Sequence, residues 1–257
     1  MSHTQEFPKC ESVGAVDEGV AENIIVPQVS DSKKARDVHI SHDRAMQIID
    51  YLCQYEWAST ANIAFHTLYH TGMRRSSLYS LDVDDWYTDE QYLAVRHRPE
   101  QGTALKLKSE GDRNVSVTDS RLVEAFNEWV NRQRPDVTDD NEREPLLASK
   151  QGRFHYKTTS EICYKVTRPC YFAKSCPHDR DIEKCEGTSY RGYSKYPDSV
   201  SSHPIRRSAI THHLYSDVPK AIVSERMNVS EKVLDHHYDA RDKEQKRQNR
   251  TKYLNGL

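Results

Sequence analysis

His203 and Arg206 stand three residues apart in His203-Pro204-Ile205-Arg206-Arg207. Proline is tolerated in the first turn of a helix, and side chains at i and i+3 share a face. A titratable imidazole and a fixed guanidinium therefore project together. That pairing suits work on an anion, with the arginine holding oxygens while the histidine moves a proton. Three other places carry matching chemistry. Thr71-Gly72-Met73-Arg74-Arg75-Ser76 reads as a helix end followed by arginines, Lys106 and Lys108 precede a turn, and Tyr238 lies in Asp235-His236-His237-Tyr238-Asp239. A phenol, with a pKa of about 10, needs nearby cations or a base to become a nucleophile. Two guanidiniums aimed at developing negative charge do for a phosphoryl centre what an oxyanion hole does for a carbonyl. Alone, the His-x-x-Arg pair also fits a surface histidine and arginine at a helix start.

The elements that must position these groups follow from periodicity. Asp43 is expected to cap a helix to about Glu56, with Met46, Ile49, Leu52 and Cys53 at helical spacing. Helices are also expected over 59–70, where Gly72 supplies the stop, and over 75–80, 120–132, 158–166, 203–215, 219–226 and 230–237. Tyr92 to Arg98 reads as a strand. Ala104 to Lys108 and Arg113 to Val117 alternate around Ser109-Glu110-Gly111-Asp112 and read as a hairpin, which would put Lys106 and Lys108 on one side of a strand. The stretch 169–202 is irregular. The class is α+β, mainly α, with a small antiparallel sheet.

Composition narrows the field. The chain has 257 residues, 37 Lys+Arg against 39 Asp+Glu, a net charge of −2 and 36% hydrophobic residues. It can bury a core without disulfide staples, has no apolar run long enough to span a membrane, and has no secretory signal. A cytoplasmic location is expected. Six cysteines then read as thiols or metal ligands. Cys170, Cys176, His178 and Cys185, spaced C-x5-C-x-H-x6-C, could hold one structural zinc, or the thiols could simply pack in a loop. Cys53 and Cys163 fit core faces, and Trp57, Trp86 and Trp129 fall where core residues are expected. Tyr190, Tyr193 and Tyr196 alternate with Arg191 and Lys195, a pattern that fits either a grip on a DNA backbone or a polar surface loop. Charge is uneven. Residues 1–42 hold four basic and seven acidic residues and read as a leader or linker, or else as a short arm on the main domain. The body then carries +1, and the stretch 241–252 has six basic residues against two acidic. A near-zero sum would argue against nucleic acid, but placement decides phosphate binding.

The ordered set TLYHTGMR (67–74), ALKLKSEGDRNVSV (104–117), HPIRRSAITHHLY (203–215) and VSEKVLDHHY (229–238) resembles the catalytic domain of the tyrosine recombinases, the phage-integrase family. The wording of 226–241 is most similar to the archaeal branch. The resemblance covers about residues 43–255. It implies the fold of the DNA breaking-rejoining enzymes. It also implies that Tyr238 attacks a scissile DNA phosphate to give a 3′-phosphotyrosyl link. Arg74 and Arg206 would clamp the non-bridging oxygens, His203 would help move the tyrosine proton, and the hairpin lysine would protonate the leaving 5′-oxygen. Lys108 fits compact bacterial hairpins and Lys106 the longer archaeal hairpin; both remain candidates. Three departures stand out. Ser77 occupies the place of the family's acid, Asn228 is the one plausible substitute for its His or Trp nine or ten residues before the tyrosine, and His236 and His237 adjoin Tyr238.

The resemblance further implies double-stranded DNA as partner, a homo-tetramer on two duplexes, and no cofactor for catalysis. The 241–257 segment would be a basic C-terminal helix for exchange between protomers, for the DNA backbone, or for packing in cis. Residues 1–42 are too few for the helical core-binding domain that such enzymes place first, so the expectation is weak DNA binding, a separate DNA-binding partner, or a truncated remnant with impaired activity. Two alternatives stand beside a recombinase or integrase. One is a non-catalytic or decayed DNA-binding relative; the other is type IB topoisomerase activity.

Overall fold

The computed structural model describes residues 38–189 and 192–238, together with Glu244, Arg247 and Thr251. The expected acidic leader, up to residue 37, and most of the basic tail lie outside the described residues. Packing begins earlier than the periodicity suggests. Ile40 is buried, and its N–H donates to Ser208 Oγ at 2.8 Å.

Helix α1 (His42–Tyr55) starts one cap earlier than expected: Ser41, not Asp43, accepts from the Arg44 N–H, and Asp43 falls in the first turn. It buries Ala45, Ile48, Ile49 and Leu52. Helix α2 (Thr60–Thr71) is capped by Ser59 and ends at Gly72 in the left-handed region. It is buried almost all round, polar residues included, so those residues must find partners inside. Thr67 and Thr71 donate to the carbonyls of Ile63 and Thr67, and His66 meets Asp119 at 3.2 Å. Helix α3 (Arg75–Ser80) follows directly.

Strands β1 (Trp86–Tyr87), β2 (Tyr92–Val95) and β3 (Arg113–Ser116) form an antiparallel sheet in that order, with Leu93 opposite Val115 and Val95 opposite Arg113. The strand expected over 104–108 does not form. Leu105 turns inward, its N–H bound to His97 Nδ1, and residues 108–111 make a single 3-10 turn with Lys108 at φ 51°. Lys106 and Lys108 therefore do not share a strand face.

Helix α4 (Ser120–Glu128) is capped by Asp119 and widens into a π turn over Trp129–Gln133. A second hairpin pairs β4 (Ala148–Ser149) with β5 (Gly152–Arg153). Then come α5 (Thr158–Val166), α6 (Pro169–Phe172), α7 (Ser202–Tyr215), α8 (Lys220–Met227) and α9 (Glu231–His237). Helix α2 is the hub, packed against α1, α4, α5 and α7. At one side the rings of His42 and His212 stack with centroids 3.8 Å apart, tying α1 to α7.

The main apolar core runs from α1 to Ala209 on α7 and takes in Trp86, Trp129 and Cys163, with Trp57 and Cys53 packed on its edge. A second, smaller cluster holds Ile210, Leu214, Val223, Met227, Val229 and Leu234, with Tyr238 packed against it. The loops around the sheet are fixed by charge. Arg98 pairs with Asp85 at 2.6 Å, Arg143 with Asp82 at 2.7 Å, and Arg153 with Asp82 and Asp139. Arg98 engages both oxygens of Asp85, and the more enclosed Arg143 and Arg153 each have a carboxylate partner in place. Among the described residues no helix is long and apolar enough to cross a membrane.

Candidate active site

Two helix ends organise the site, and both end in the left-handed region. At the end of α2, the Gly72 N–H bonds the Leu68 carbonyl. A Cβ at Gly72, which has φ +60°, would lie 2.6 Å from Met227 Sδ. Glycine is thus required there for conformation and for space. At the end of α8, Asn228 has φ 51°, the Val229 N–H reaches back to Ser224 O, and the Asn228 N–H reaches Glu225 O. That is the Schellman ending, in which asparagine is the usual substitute for glycine.

The carbonyls left free at these ends accept from the two candidate arginines. Arg206, 4% exposed, donates through one nitrogen to Gly72 O at 2.5 Å and to Met227 O at 2.8 Å. Arg74, the residue before α3, donates to Asn228 O at 2.8 Å. Helix C-termini carry partial negative charge, which offsets part of the cost of burying a cation. Burial still depresses Arg206 to about 9, with Arg74 and Arg113 adding to the depression and Tyr238 opposing it. Arg74 is lowered by burial and raised by Tyr238. Tyr238 is half-buried just beyond α9, and the Arg207 guanidinium lies 5.7 Å from its ring centroid.

His203 is exposed at the first turn of α7. Its pKa is depressed by desolvation, which penalises the charged imidazolium, then by Arg206, Arg207, Lys106 and Arg74, which favours the neutral, proton-accepting imidazole. Lys106 is among the charges that act on His203, and both lysines are exposed. Thus Arg74 and Arg206 lie by Tyr238, His203 lies near both arginines, and Lys106 lies near His203. Asn228 is at the site, but through its carbonyl; its amide nitrogen lies near Gly111 instead.

Residues without a sequence signal also belong here. Arg113 on β3 donates to Arg226 O at 3.0 Å and to Gly111 O at 2.8 Å. Arg226 returns the contact to β3 through Ser116 O and reaches His70 O. Arg207 could have been suspected from the doubled arginine after Ile205. Ser77 is buried, and its N–H bonds the Arg74 carbonyl.

Of the four candidate zinc ligands, the three cysteines neighbour one another: burial raises the Cys170 thiol, and Cys176 and Cys185 add to that rise against Arg168. His178 is turned to Asp198 at 2.7 Å, Cys176 Sγ lies 3.2 Å from the Tyr196 hydroxyl, and Cys170 is buried. Among the described residues no group of three or more His, Cys, Asp or Glu is placed to hold a metal ion. The 169–202 segment is held by main-chain contacts instead: Arg44 to Asp198 O at 2.8 Å and Arg168 to Gly187 O at 2.7 Å. The aromatic run it carries is no DNA grip at Tyr196, which is 2% exposed; Tyr193 stacks on Arg168, and Tyr190 and Arg191 lie outside the described residues.

A family model described as the phage integrase family matches residues 39–245. No curated protein matches the chain. Among solved structures, the XerA recombinase is similar at 17% identity, over 91% of this chain and 70% of that one, with a TM-score of 0.57. The Tn1549 transposon integrase in complex with a circular intermediate DNA is similar at 14% identity, over 96% and 75%, with a TM-score of 0.62. A lambda integrase dimer bound to a core site is similar at 10% identity, over 92% and 57%, with a TM-score of 0.54. At these identities the likeness is one of fold.

Proposed function

The chain belongs to the phage integrase family, the tyrosine recombinases, and from that premise we propose that it cleaves and rejoins DNA as a site-specific recombinase or integrase. The observation that carries the reading is that Arg74 and Arg206, both fixed at helix ends, lie by Tyr238, with His203 near both arginines and Lys106 near His203.

In the proposed step, the Tyr238 hydroxyl oxygen attacks the scissile phosphorus while neutral His203 takes up its proton. Arg74 and Arg206 hold the non-bridging oxygens as charge builds in the pentacoordinate transition state. The bond to the 5′-oxygen breaks, and Lys106 gives that oxygen a proton. The product is a 3′-phosphotyrosyl link and a free 5′-hydroxyl. Attack by a 5′-hydroxyl reverses the step and rejoins the strand. The phosphotyrosyl bond retains the energy of the phosphodiester, so the step balances without nucleotide or metal.

Double-stranded DNA is the proposed partner, in keeping with the DNA-bound forms of the Tn1549 and lambda integrases. The working form is proposed as a homo-tetramer on two duplexes, in the cytoplasm. The segment 241–257 would either exchange between protomers or lie on the DNA.

The buried Ser77, standing where the family usually has an acid, favours a second reading, a non-catalytic DNA-binding relative. One experiment separates the two. The protein is incubated with nicked suicide duplexes, and a covalent protein–DNA adduct is sought. The adduct is expected with the native chain and lost in Tyr238→Phe. An adduct that survives in Tyr238→Phe, or none on any duplex tried, would overturn the catalytic reading.

A further inference from the structure

Among the described residues, the enclosed arginines around the sheet and those around Tyr238 are neutralised differently; Arg44 and Arg168, elsewhere in the fold, also donate to main-chain carbonyls. Arg98, Arg143 and Arg153 each meet a carboxylate from Asp82, Asp85 or Asp139. Arg74, Arg113, Arg206 and Arg226 meet only main-chain carbonyls: Asn228 for Arg74; Gly111 and Arg226 for Arg113; Gly72 and Met227 for Arg206; Ser116 and His70 for Arg226. Neutral acceptors satisfy N–H groups but leave the net charge in place. Arg113 is incompletely satisfied even so, because its Nη2 is buried with no acceptor. Burial, then Arg74 and Arg226, depress it to about 10, and it in turn depresses Arg206.

Arg113 is also well placed to connect the site's parts. It stands on β3 and grips Gly111, the last residue of the turn that follows Lys106 and Lys108, and it grips the Arg226 carbonyl two residues before Asn228. The hairpin lysine, the Arg74 anchor and the tyrosine arm therefore share one tie.

We propose that Arg113 is a positioning residue of this site: it ties the lysine loop to the end of α8 and adds a guanidinium to a group of arginines that no described carboxylate pairs with, although Glu110, Asp112 and Glu225 line the same cavity, so the group is fully neutralised only when a tetrahedral oxyanion sits between Arg74 and Arg206. The oxyanion matched to the chemistry is a DNA phosphodiester, and in that respect the proposal rests on the recombinase reading. The electrostatic part does not, because any phosphate-like ion should feel it. Like charges in a poorly solvated space repel strongly, and an anion binding the folded state raises its stability by mass action.

The test uses the full chain, with inorganic phosphate exchanged for chloride at constant ionic strength so that screening is unchanged. Thermal midpoints are read for the native protein, Arg113→Gln and Arg113→Lys. The control is Arg132→Gln, which removes a surface arginine paired with Glu128. The native and control proteins are expected to rise together with phosphate. Arg113→Gln, whose amide can still donate to a carbonyl, should match or exceed the native midpoint without phosphate, and its phosphate response should fall at least tenfold in apparent affinity. Arg113→Lys should recover part of that response. In the cleavage assay, Arg113→Gln should lower the maximal rate of adduct formation about tenfold or more while half-saturating DNA changes little, because the loss is one of alignment.

An unchanged phosphate response in Arg113→Gln overturns the proposal, whether or not the variant is destabilised, because a purely structural residue would behave that way. So does a native protein that does not respond to phosphate. A normal phosphate pattern with no Tyr238 adduct from any protein would sink the recombinase reading and leave the role of Arg113 standing.

Discussion

Arg74 donates to the main-chain carbonyl of Asn228, 154 residues further along the chain, at 2.8 Å. The first candidate arginine is thus held by the turn that leads into the tyrosine helix. Where the family usually places an acid after this arginine, the chain has Ser77, and a carbonyl from another helix end supplies the acceptor. The arrangement also assigns Asn228 a different role from a side-chain donor to phosphate: what matters is a left-handed backbone that aims its carbonyl.

That distinction can be measured. Asn228→Gly keeps the backbone conformation and removes the amide, so its adduct rate should stay within about threefold of native, since glycine adopts φ > 0 freely. Asn228→Val should lose about a hundredfold or more, because a β-branched residue resists φ 51° and the carbonyl moves off Arg74. Equal losses in both variants would restore the side chain to the mechanism.

A matched pair of glycines separates strain from collision. Gly72 and Gly102 both have positive φ, but a Cβ at Gly102 meets nothing within 4 Å, while at Gly72 it strikes Met227. Gly102→Ala should cost about 1 kcal/mol, the strain of the left-handed region alone. Gly72→Ala should cost about 1–3 kcal/mol more, because Met227 must move, and should slow cleavage as Arg206 loses its seat. Urea midpoints on both variants check the difference; equal costs would show that Met227 yields freely.

The two lysines should part company. Lys106→Ala is expected to reduce cleavage of an ordinary phosphodiester about a hundredfold, within the range for a lost general acid, and Lys108→Ala to reduce it little. Replacing the bridging 5′-oxygen by sulfur gives a leaving group that needs no proton, so the Lys106→Ala deficit should largely vanish on that substrate. A deficit that persists there would mean Lys106 binds DNA and transfers no proton.

Acid should weaken the fold through its histidines. His70 is depressed to about 4, by burial and then Arg226 and His66; His212 is depressed to about 4, by burial and then His42 and His213. The unfolded chain binds those protons from about pH 6.5, while the folded chain resists them until about pH 4. Between these values the unfolded state holds more protons, so stability falls as the pH drops. The urea midpoint should therefore decline from pH 7 to 4.5. His212→Phe, which keeps a ring against His42, should flatten that slope. An unaltered slope in the variant would exclude His212 from the effect.

Much of the helical frame was legible in the sequence because its signals are local. Ser59 and Gly72 bracket α2, and the 158–166 helix has the expected limits. The lysine hairpin misled because alternation over five residues fits a turn as well as a strand, and the partner strand is β2, read correctly but paired elsewhere. The Met227-Asn228-Val229 turn was readable in principle, since asparagine after a helix marks a left-handed end. The Arg113–Arg226 tie was not, because it joins side chains to distant carbonyls, and carbonyls carry no letter in a sequence. The candidate zinc set shows a related limit: spacing tells which ligands can meet, but not that His178 lies against Asp198.

The small apolar cluster beneath Tyr238 has a dynamic consequence. It is separate from the main core and is built from α7, α8, α9 and the turns between them. A unit with so few buried contacts opens sub-globally at a lower free energy than the rest of the molecule. Amide hydrogen exchange across residues 220–238 should accordingly outpace exchange in α2 by orders of magnitude, and Tyr238 would ride on a less protected part of the domain than α2, together with the Asn228 and Met227 carbonyls that hold Arg74 and Arg206.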